Sequence, residues 1–259
     1  MPEISQNIYD CPKYYDLIFA ADWKPEFLFL KSVFQKHVKR PVKTLFEPAC
    51  GTGRLLIRFA KAGYTVAGND LNSKAIEFCN QRMMRHDIKP TAKVGDMTDF
   101  VLPKPVDAAF NTINSFRHLQ TDRLAIAHLK CMAAALKPGG VYVIGFHLTP
   151  AEGDSCGDEC WSARRGSLRV DSRMWCLERN HRQRFENYGL SFDVQTPKQK
   201  FRIVDELKFR TYTVAQFRRL LAQVPEFELT AVYDFNYDAN LPIQLDSHVE
   251  DAIFVLSVR

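Results

Sequence analysis

The sequence predicts an α/β protein with a doubly wound, mostly parallel sheet, and three observations support this prediction. Short runs of β-forming residues alternate with helical patterns through residues 43–147, which is typical of a parallel sheet covered by helices on both faces. A Gly-x-Gly turn at 51–53 joins the first of these strands directly to a helix. Residues 137–140, Lys-Pro-Gly-Gly, end the third helix and lead into the fifth strand, because proline and glycine do not continue a helix.

The elements follow from hydrophobic periodicity and from capping residues. Five short strands are predicted in the first part of the chain, over residues 43–46, 64–67, 91–94, 107–110 and 140–146. Helices are predicted between most of them, over residues 54–62, 73–86 and 122–136. A later helix is predicted over 213–223, because Thr213 can cap it and Phe217 and Leu220 share one face. Two strands, over 228–235 and 252–258, are predicted to follow it.

Composition divides the chain into four stretches. Residues 1–42 read as a helical N-terminal cap, and residues 43–150 hold the alternating α/β core. Residues 151–212 are rich in Arg, Trp, Phe and Ser and show two-residue alternation, which predicts antiparallel strands inserted as a lid. Residues 213–259 complete the core, and no Gly/Ser linker separates the lid from it.

The overall composition excludes several classes of protein. A chain of 259 residues with 46% hydrophobic and 25% charged residues is neither disordered nor fibrous. No apolar run approaches the roughly 20 residues that a membrane span needs, and the first seven residues lack the pattern of a signal peptide. We therefore expect a cytoplasmic protein without a membrane partner. A net charge of +5 is a mild excess that does not favour nucleic acid.

The seven cysteines are scattered, and their spacing predicts no metal site. Cys50, Cys79 and Cys131 fall in predicted core elements, where cysteine usually serves as a small buried hydrophobe. Cys156 and Cys160 are four residues apart but have no second ligand pair at zinc spacing, so we interpret them as loop thiols.

The most informative stretch surrounds the Gly-x-Gly turn. Gly51 and Gly53 permit a tight turn and a close approach of the backbone to a ligand, and the helix that follows directs its free N–H groups back toward the turn. Leu56 stands where the dinucleotide fingerprint needs its third glycine. Glu47 precedes the turn, and a carboxylate there suits a ligand with positive charge and hydrogen-bond donors better than a pyrophosphate.

Acidic residues also end the next two strands. Asp70 can accept hydrogen bonds from both hydroxyls of a ribose. Asp96 can accept from the exocyclic amine of adenine, while Met97 packs on the ring and offers its backbone N–H. The fourth strand runs into a polar loop at 111–116. The strand ends therefore predict a site for an adenosyl ligand.

These four motifs, in this order, resemble those of the class I S-adenosylmethionine-dependent methyltransferases, a Rossmann-like family, over roughly residues 43–147. The Lys-Pro-Gly-Gly run is similar too. The resemblance implies a seven-stranded sheet with an antiparallel last strand, and S-adenosyl-L-methionine as cofactor. It implies Glu47, Gly51 and Gly53 for the methionine portion of the cofactor and Asn111 for the sulfonium side. It implies Asp70 and Leu71 for the ribose and the adenine edge, and Asp96 and Met97 for the adenine.

Methyl transfer from a sulfonium is an in-line displacement, so the protein mainly supplies proximity and alignment. His118 is the best candidate for a general base, because neutral imidazole is available at pH 7. Tyr14 is a second catalytic candidate, since it lies on a segment that folds over the cofactor in similar enzymes. Five side chains with aromatic, amide, imidazole or guanidinium groups are predicted to border a small planar or anionic acceptor. They are Tyr15, Asn114, His147, Arg164 and Trp175.

The acceptor is predicted to be a small molecule, with nitrogen and oxygen both open. The lid resembles that of aminosugar and glycine-type N-methyltransferases, and residues 111–114 lack the Pro-Pro-aromatic motif of nucleic-acid amino methyltransferases. Two alternatives remain: a nicotinamide-dependent oxidoreductase, which Glu47 and the missing glycine disfavour, and a cofactor-binding protein without catalysis. The oligomeric state stays open.

Overall fold

The computed structural model describes residues 1–151 and 158–259, which form two β-sheets and the helices that cover them. The strands in chain order are β1 (Glu3–Ser5), β2 (Thr44–Pro48), β3 (Thr65–Asp70), β4 (Ala92–Val94), β5 (Val106–Asn111), β6 (Leu136–His147), β7 (Glu159–Arg165), β8 (Leu168–Asn180), β9 (Phe185–Gln195), β10 (Lys200–Arg210), β11 (Phe227–Tyr233) and β12 (Asp251–Val258). The α-helices are α1 (Pro12–Phe19), α2 (Trp23–His37), α3 (Leu56–Lys61), α4 (Ser73–Met84), α5 (Asp122–Ala135) and α6 (Val214–Leu221).

The central sheet confirms the predicted fold class. Its seven strands lie in the order β11-β12-β6-β5-β2-β3-β4, and β12 is antiparallel to both of its neighbours while the other strands share one direction. All six residues of β5 are buried, as expected for a strand covered by helices on both faces. The carboxyl ends of β2, β3 and β4 therefore meet at one edge of the sheet.

Helices cover both faces of this sheet. On one face, α2, α3 and α4 bury large apolar side chains such as Phe34, Phe59 and Met83. On the other face, α5 and α6 bury Leu129 and Phe217. The predicted Thr213 cap of α6 is confirmed, because the Thr213 hydroxyl accepts from the Gln216 backbone N–H in a capping box.

The second sheet is the lid, formed by strands in the order β1-β10-β9-β8-β7. Its long strands are antiparallel, as predicted, whereas β1 pairs with β10 in parallel. The inner face of the lid packs apolar side chains, among them Val170 and Phe192, against Leu17 and Ile18 of α1. Helix α1 therefore lies between the lid and the central sheet.

Two local predictions differ from the structure. β6 begins at Leu136 and not at 140, because residues 137–140 form an irregularity where the pairing with β5 shifts from Leu136 to Val141. The three-residue strand β1 was not predicted, since it is too short to show a period and its pairing partner lies about 200 residues away. Cys156 lies outside the described residues, and Cys160 is an exposed residue of β7.

Candidate functional site

The glycine loop, residues 49–55 between β2 and α3, leaves open space at its tip. Gly51 and Gly53 have φ of +52° and +68°, in the left-handed region that favours glycine. No described atom lies within 4 Å of the position that a Cβ on Gly51 would take. A Cβ on Gly53 would stand 2.3 Å from Cys79 Sγ of α4. Gly51 therefore lets a ligand approach the backbone, and Gly53 lets α4 pack against the loop.

Asp70, the last residue of β3, organises this loop. Its carboxylate accepts hydrogen bonds from the backbone N–H groups of Gly51 and Asn72, both at 2.8 Å. Burial raises the pKa of Asp70, although these two hydrogen bonds act in the opposite direction. Each carboxylate oxygen keeps a further lone pair, so Asp70 can accept from a ligand while it holds the loop.

Three buried acceptor oxygens stand at the carboxyl ends of neighbouring strands without a donor. Glu47 Oε2, Asn69 Oδ1 and Asn111 Oδ1 receive no hydrogen bond from any described residue. The amide nitrogens of Asn69 and Asn111 donate to the carbonyl oxygens of Asp96 (3.2 Å) and Pro48 (2.8 Å), which orients both side chains. Unpaired buried acceptors are costly, so this edge is built to receive hydrogen-bond donors.

An ion pair from the N-terminal cap lies behind Glu47. Glu26 of α2 is 1% exposed, accepts a hydrogen bond from Thr112 Oγ1, and lies 2.5 Å from Arg54 Nη2. Burial raises the pKa of Glu47 well above its usual range, while Arg54 acts in the opposite direction and Glu26 adds to the rise. Arg54 thus places a cation at the start of the helix that follows the glycine loop.

The loop after β4, residues 95–98, faces the same edge. Asp96 Oδ1 accepts from the backbone N–H and the hydroxyl of Thr98, at 2.7 and 2.9 Å. Leu71 is 69% exposed beyond the end of β3, whereas Met97 is half-buried. Apolar surface and a carboxylate therefore stand side by side here, an arrangement that a flat, polar-edged ring can cover.

Two aspartates tie the N-terminal segment to this edge. Asp10 accepts hydrogen bonds from Asn72 Nδ2 (2.7 Å) and Lys74 Nζ (2.9 Å) at the start of α4. Asp16 of α1 is 2% exposed and accepts hydrogen bonds from Thr52 Oγ1 of the glycine loop (3.0 Å) and Arg82 Nη1 of α4 (2.6 Å). Arg165 Nη2 of β7 forms a looser ion pair with it, at 3.7 Å. Helix α1 is thereby fixed above the glycine loop.

His118 forms a hydrogen-bonded pair with Tyr9 above the site. The distance from His118 Nε2 to the Tyr9 hydroxyl is 2.9 Å, and the His118 ring lies 4.9 Å from that of Phe209 in the lid. Burial, followed by the charge of Arg117, lowers the pKa of His118 to about 4. Burial raises the pKa of Tyr9. Both groups are therefore neutral at pH 7.

The other candidates on the acceptor side lie in two places. Tyr15 packs 5.4 Å from Tyr9, whereas Tyr14 faces Phe201 of the lid with ring centroids 6.0 Å apart. Asn114 Oδ1 accepts from the backbone N–H of His147 at 3.0 Å. His147 Nδ1 lies 2.5 Å from Asp251 Oδ1, beside an open recess of about 500 Å³ that Asp251 helps to line. Tyr9, and not Tyr14, therefore contacts His118.

The structure places Arg164 and Trp175 on the outer face of the lid. Arg164 pairs across the strands with Arg169, on the face opposite to Val170 of the inner apolar cluster. The Trp175 ring covers Gly189, where a Cβ would lie 2.3 Å from it. These two side chains are not brought together with the glycine loop.

Sequence reasoning missed three residues of this site. Asn69 could have been found, because it precedes Asp70 at the same strand end. Glu26 carried no signal, since it stands within an ordinary helical pattern far from the glycine loop. Arg54 was seen only as a helix start, although its guanidinium is the cation beside Glu47.

Two kinds of feature are absent from the described ranges, 1–151 and 158–259. Within them, His, Cys, Asp and Glu side chains form no group of three that could hold a metal ion. No helix in the same ranges combines the length and the apolar character needed to cross a bilayer.

A family model described as a methyltransferase domain matches residues 46–140 of the chain. A curated relative from Streptomyces venezuelae, dTDP-3-amino-3,4,6-trideoxy-alpha-D-glucopyranose N,N-dimethyltransferase, is 32% identical over 101 residues. The match covers 39% of this chain and 41% of the relative, so the chain spans about two fifths of that protein's length.

Solved structures resemble the chain over nearly its whole length. A S-adenosylmethionine-dependent methyltransferase from Clostridium acetobutylicum superposes with a TM-score of 0.79 at 15% identity, covering 97% of this chain and 99% of the other. CalS10 from Micromonospora echinaspora, an amino pentose methyltransferase with bound S-adenosylmethionine, gives a TM-score of 0.74 at 18% identity, with 99% and 98% covered. At these identities the likeness establishes a shared fold.

Proposed function

We propose that this chain is a class I S-adenosylmethionine-dependent methyltransferase and transfers a methyl group from S-adenosyl-L-methionine to an amine of a small molecule. The observation that carries the proposal is the set of three donorless oxygens around the glycine loop, on Glu47, Asn69 and Asn111, beneath the Tyr9–His118 pair.

The residues at the sheet edge fit the chemistry of this cofactor. Its ammonium, ribose hydroxyls and exocyclic adenine amine are all hydrogen-bond donors, and the edge presents acceptors that lack donors among the described residues. Glu47 and Gly51 would hold the methionine portion, together with Gly53 and Arg54. Asp70 would bind the ribose hydroxyls.

The remaining cofactor contacts extend along the same edge. Asp96, Met97 and Leu71 would border the adenine, and Asn111 would lie near the sulfonium. When bound, the cofactor supplies an electrophilic methyl group on a sulfonium. The fixed loop and strand ends then contribute alignment, which is the main requirement of an in-line displacement.

Tyr9 and His118 would contact the acceptor. His118 is neutral at pH 7, because its pKa is about 4, so its ring can orient an uncharged amine but does not retain a proton. The catalytic role expected of Tyr14 passes to Tyr9, since Tyr9 reaches His118. An acceptor amine that has lost its proton to solvent before it binds needs no strong base, which suits this pair.

The aromatic surroundings favour nitrogen over oxygen as the acceptor atom. The ring centroid of Tyr15 lies 5.4 Å from that of Tyr9 and 4.7 Å from that of Phe19, and Phe209 adds a further ring beside His118. Aromatic faces attract cations, and N-methylation begins with a sulfonium and ends with a methylated ammonium. The amino-sugar substrate in the name of the curated relative supports the same choice. His147 and Asn114 would border a larger acceptor on the side of the open recess.

Calorimetric titration with S-adenosylmethionine and, separately, NAD tests the cofactor. We expect saturable binding of S-adenosylmethionine and none of NAD; binding of NAD alone would refute the proposal in favour of an oxidoreductase. A screen of amino sugars, other amines, phenols and carboxylates for release of S-adenosylhomocysteine then tests the acceptor. We expect turnover with amines.

Glu47→Gln serves as the matched variant in the binding experiment, because it removes the carboxylate at nearly constant volume. We expect it to weaken S-adenosylmethionine binding about tenfold or more, as a lost charge-assisted hydrogen bond does. Binding without turnover on any acceptor class would indicate a non-catalytic cofactor-binding protein instead.

A further inference from the structure

Two side chains on the inner face of α5 hold residues 95–98, the adenine loop of the proposed function, from behind. His128 Nδ1 lies 2.9 Å from the Met97 carbonyl oxygen, and Cys131 Sγ lies 3.3 Å from the carbonyl oxygen of Thr98. Positions three apart on a helix share one side, so α5 bonds to two successive carbonyls of the loop. No motif in the sequence assigns a role to either residue.

The donor and the acceptor of each hydrogen bond around His128 can be assigned. A carbonyl oxygen only accepts, so His128 Nδ1 carries the hydrogen that Met97 receives. His128 is 1% exposed, and burial lowers its pKa to about 4, so the ring is neutral. Nε2 is therefore the acceptor, and the Tyr142 hydroxyl of β6 donates to it at 2.9 Å. Tyr142 thereby selects the tautomer that bonds to the loop.

A further contact holds the same loop. Asn69 Nδ2 donates to the Asp96 carbonyl oxygen at 3.2 Å, one residue before the carbonyl that His128 holds. Two successive peptide groups of the loop are thus fixed by side chains of the core. Without His128, the Met97 carbonyl would lose its partner in the core, and the peptide would rotate to find another. Such a rotation displaces the Asp96 carboxylate and the Met97 side chain together.

We propose that His128 is a positioning residue that, oriented by Tyr142, holds the adenine loop in the shape that receives the adenine ring. The inference rests on the proposed function, because it assumes that Asp96 and Met97 border adenine. It adds a residue of α5, on the far side of the loop, to the determinants of cofactor affinity.

Calorimetric titration of the full chain with two probes tests the inference. S-adenosylhomocysteine carries both ends of the cofactor, and 5′-methylthioadenosine carries the adenosyl end alone. We expect His128→Leu to weaken both probes about tenfold or more, since the loop loses its rear hydrogen bond. Glu47→Gln is the matched control: it weakens S-adenosylhomocysteine and leaves 5′-methylthioadenosine within about twofold.

A pair of polar variants separates positioning from packing. In His128→Asn the side-chain N–H₂ occupies the place of Nδ1 and still reaches the Met97 carbonyl, so we expect affinity within about threefold of wild type. In His128→Gln the amide reaches Tyr142 but not the loop, and we expect a loss similar to that of His128→Leu. Tyr142→Phe leaves the imidazole free to choose its tautomer, and we expect a loss of about threefold.

Steady-state kinetics adds a readout that a merely structural role would not move. We expect His128→Gln to raise the cofactor KM more than it lowers kcat, with the acceptor KM within twofold. Equal affinities in folded His128→Gln and His128→Asn would overturn the inference, as would wild-type affinity in folded His128→Leu. Failure of the wild-type protein to bind either probe would instead refute the proposed function, and the inference with it.

Discussion

Buried polar groups at the sheet edge and under the lid differ in whether they have hydrogen-bond or ion-pair partners. At the edge, the buried oxygens of Glu47 and Asn111 lack donors within the described part of the chain. Under the lid, the equally buried Glu186 is paired with Arg117 and with Arg179, the latter at 2.9 Å. A paired buried charge holds elements together, whereas a buried oxygen without a hydrogen-bond donor is retained at a cost that a ligand can remove.

The comparison separates the two kinds of contribution that a side chain makes. Arg117 precedes His118, so its ion pair with Glu186 fixes the turn that carries His118 to the lid. Substitutions under the lid should therefore act first on stability, and substitutions at the sheet edge should act first on binding. Four predictions test this separation, and the largest effect comes first.

Glu186→Ala should lower the free energy of unfolding by about 3–5 kcal/mol, because it leaves two buried guanidinium groups without a counter-charge. Urea unfolding followed by circular dichroism measures this change. The control is Asp171→Ala, which breaks the exposed pair with Arg169 and should cost less than about 1 kcal/mol. Equal losses in the two variants would contradict the comparison.

Acid should destabilise the protein through two histidines, His118 beside the lid and His128 behind the sheet edge. His118 and His128 have pKa values of about 4, below the usual 6.5, so the unfolded chain binds more protons between these values. Their contribution is complete above pH 6.5 and is lost as the pH falls toward 4, amounting to about 3 kcal/mol at most for each. Unfolding free energies measured from pH 7.5 to 4.5 should show a slope that His118→Asn and His128→Asn each reduce. An unchanged slope in both variants would show that the pKa values of His118 and His128 are not lowered in the folded protein.

Asp70→Ala should weaken S-adenosylmethionine binding by roughly 1.5–3 kcal/mol, the cost of a lost charge-assisted hydrogen bond, with a smaller effect on stability. The variant also frees the backbone N–H of Gly51, which adds to the loss. Titration calorimetry measures the change, with Glu77→Ala on the exposed side of α4 as control. Wild-type affinity in a folded Asp70 variant would show that the residue merely ends β3.

Trp175→Ala and Arg164→Ala should produce the smallest effects. Both side chains lie on the outer face of the lid, so we expect kcat/KM for the acceptor to stay within twofold of wild type. Steady-state kinetics with the best acceptor from the screen measures this ratio. A loss above tenfold in either variant would place the acceptor on the outer face of the lid and contradict the prediction that this face takes no part in binding.

The glycine loop and the strand ends could be predicted from the sequence because their chemistry is local. Glu47, Gly51 and Asp70 stand within a short stretch that alternates strand, turn and helix, and parallel strands bring their carboxyl ends to one edge. The seven-stranded fold followed from the resemblance that the same stretch carries. Geometry at this edge is therefore largely determined by neighbours in the sequence.

The acceptor side could not be predicted in the same way, because its contacts join distant parts of the chain. Tyr9 and His118 are 109 residues apart, and nothing in either segment indicates that Tyr9 and not Tyr14 makes the contact. Two-residue alternation predicted the lid strands but not which face meets α1, so the prediction that Trp175 borders the acceptor had no face to rest on. Tertiary packing alone settles such choices.

The three contacts of Asp16 have a kinetic consequence. One carboxylate joins α1 to the glycine loop, to α4 and to the lid, so we expect a ligand bound beneath α1 to exchange slowly. Under the proposed function, S-adenosylmethionine would then enter before the acceptor, and S-adenosylhomocysteine would leave after the methylated product.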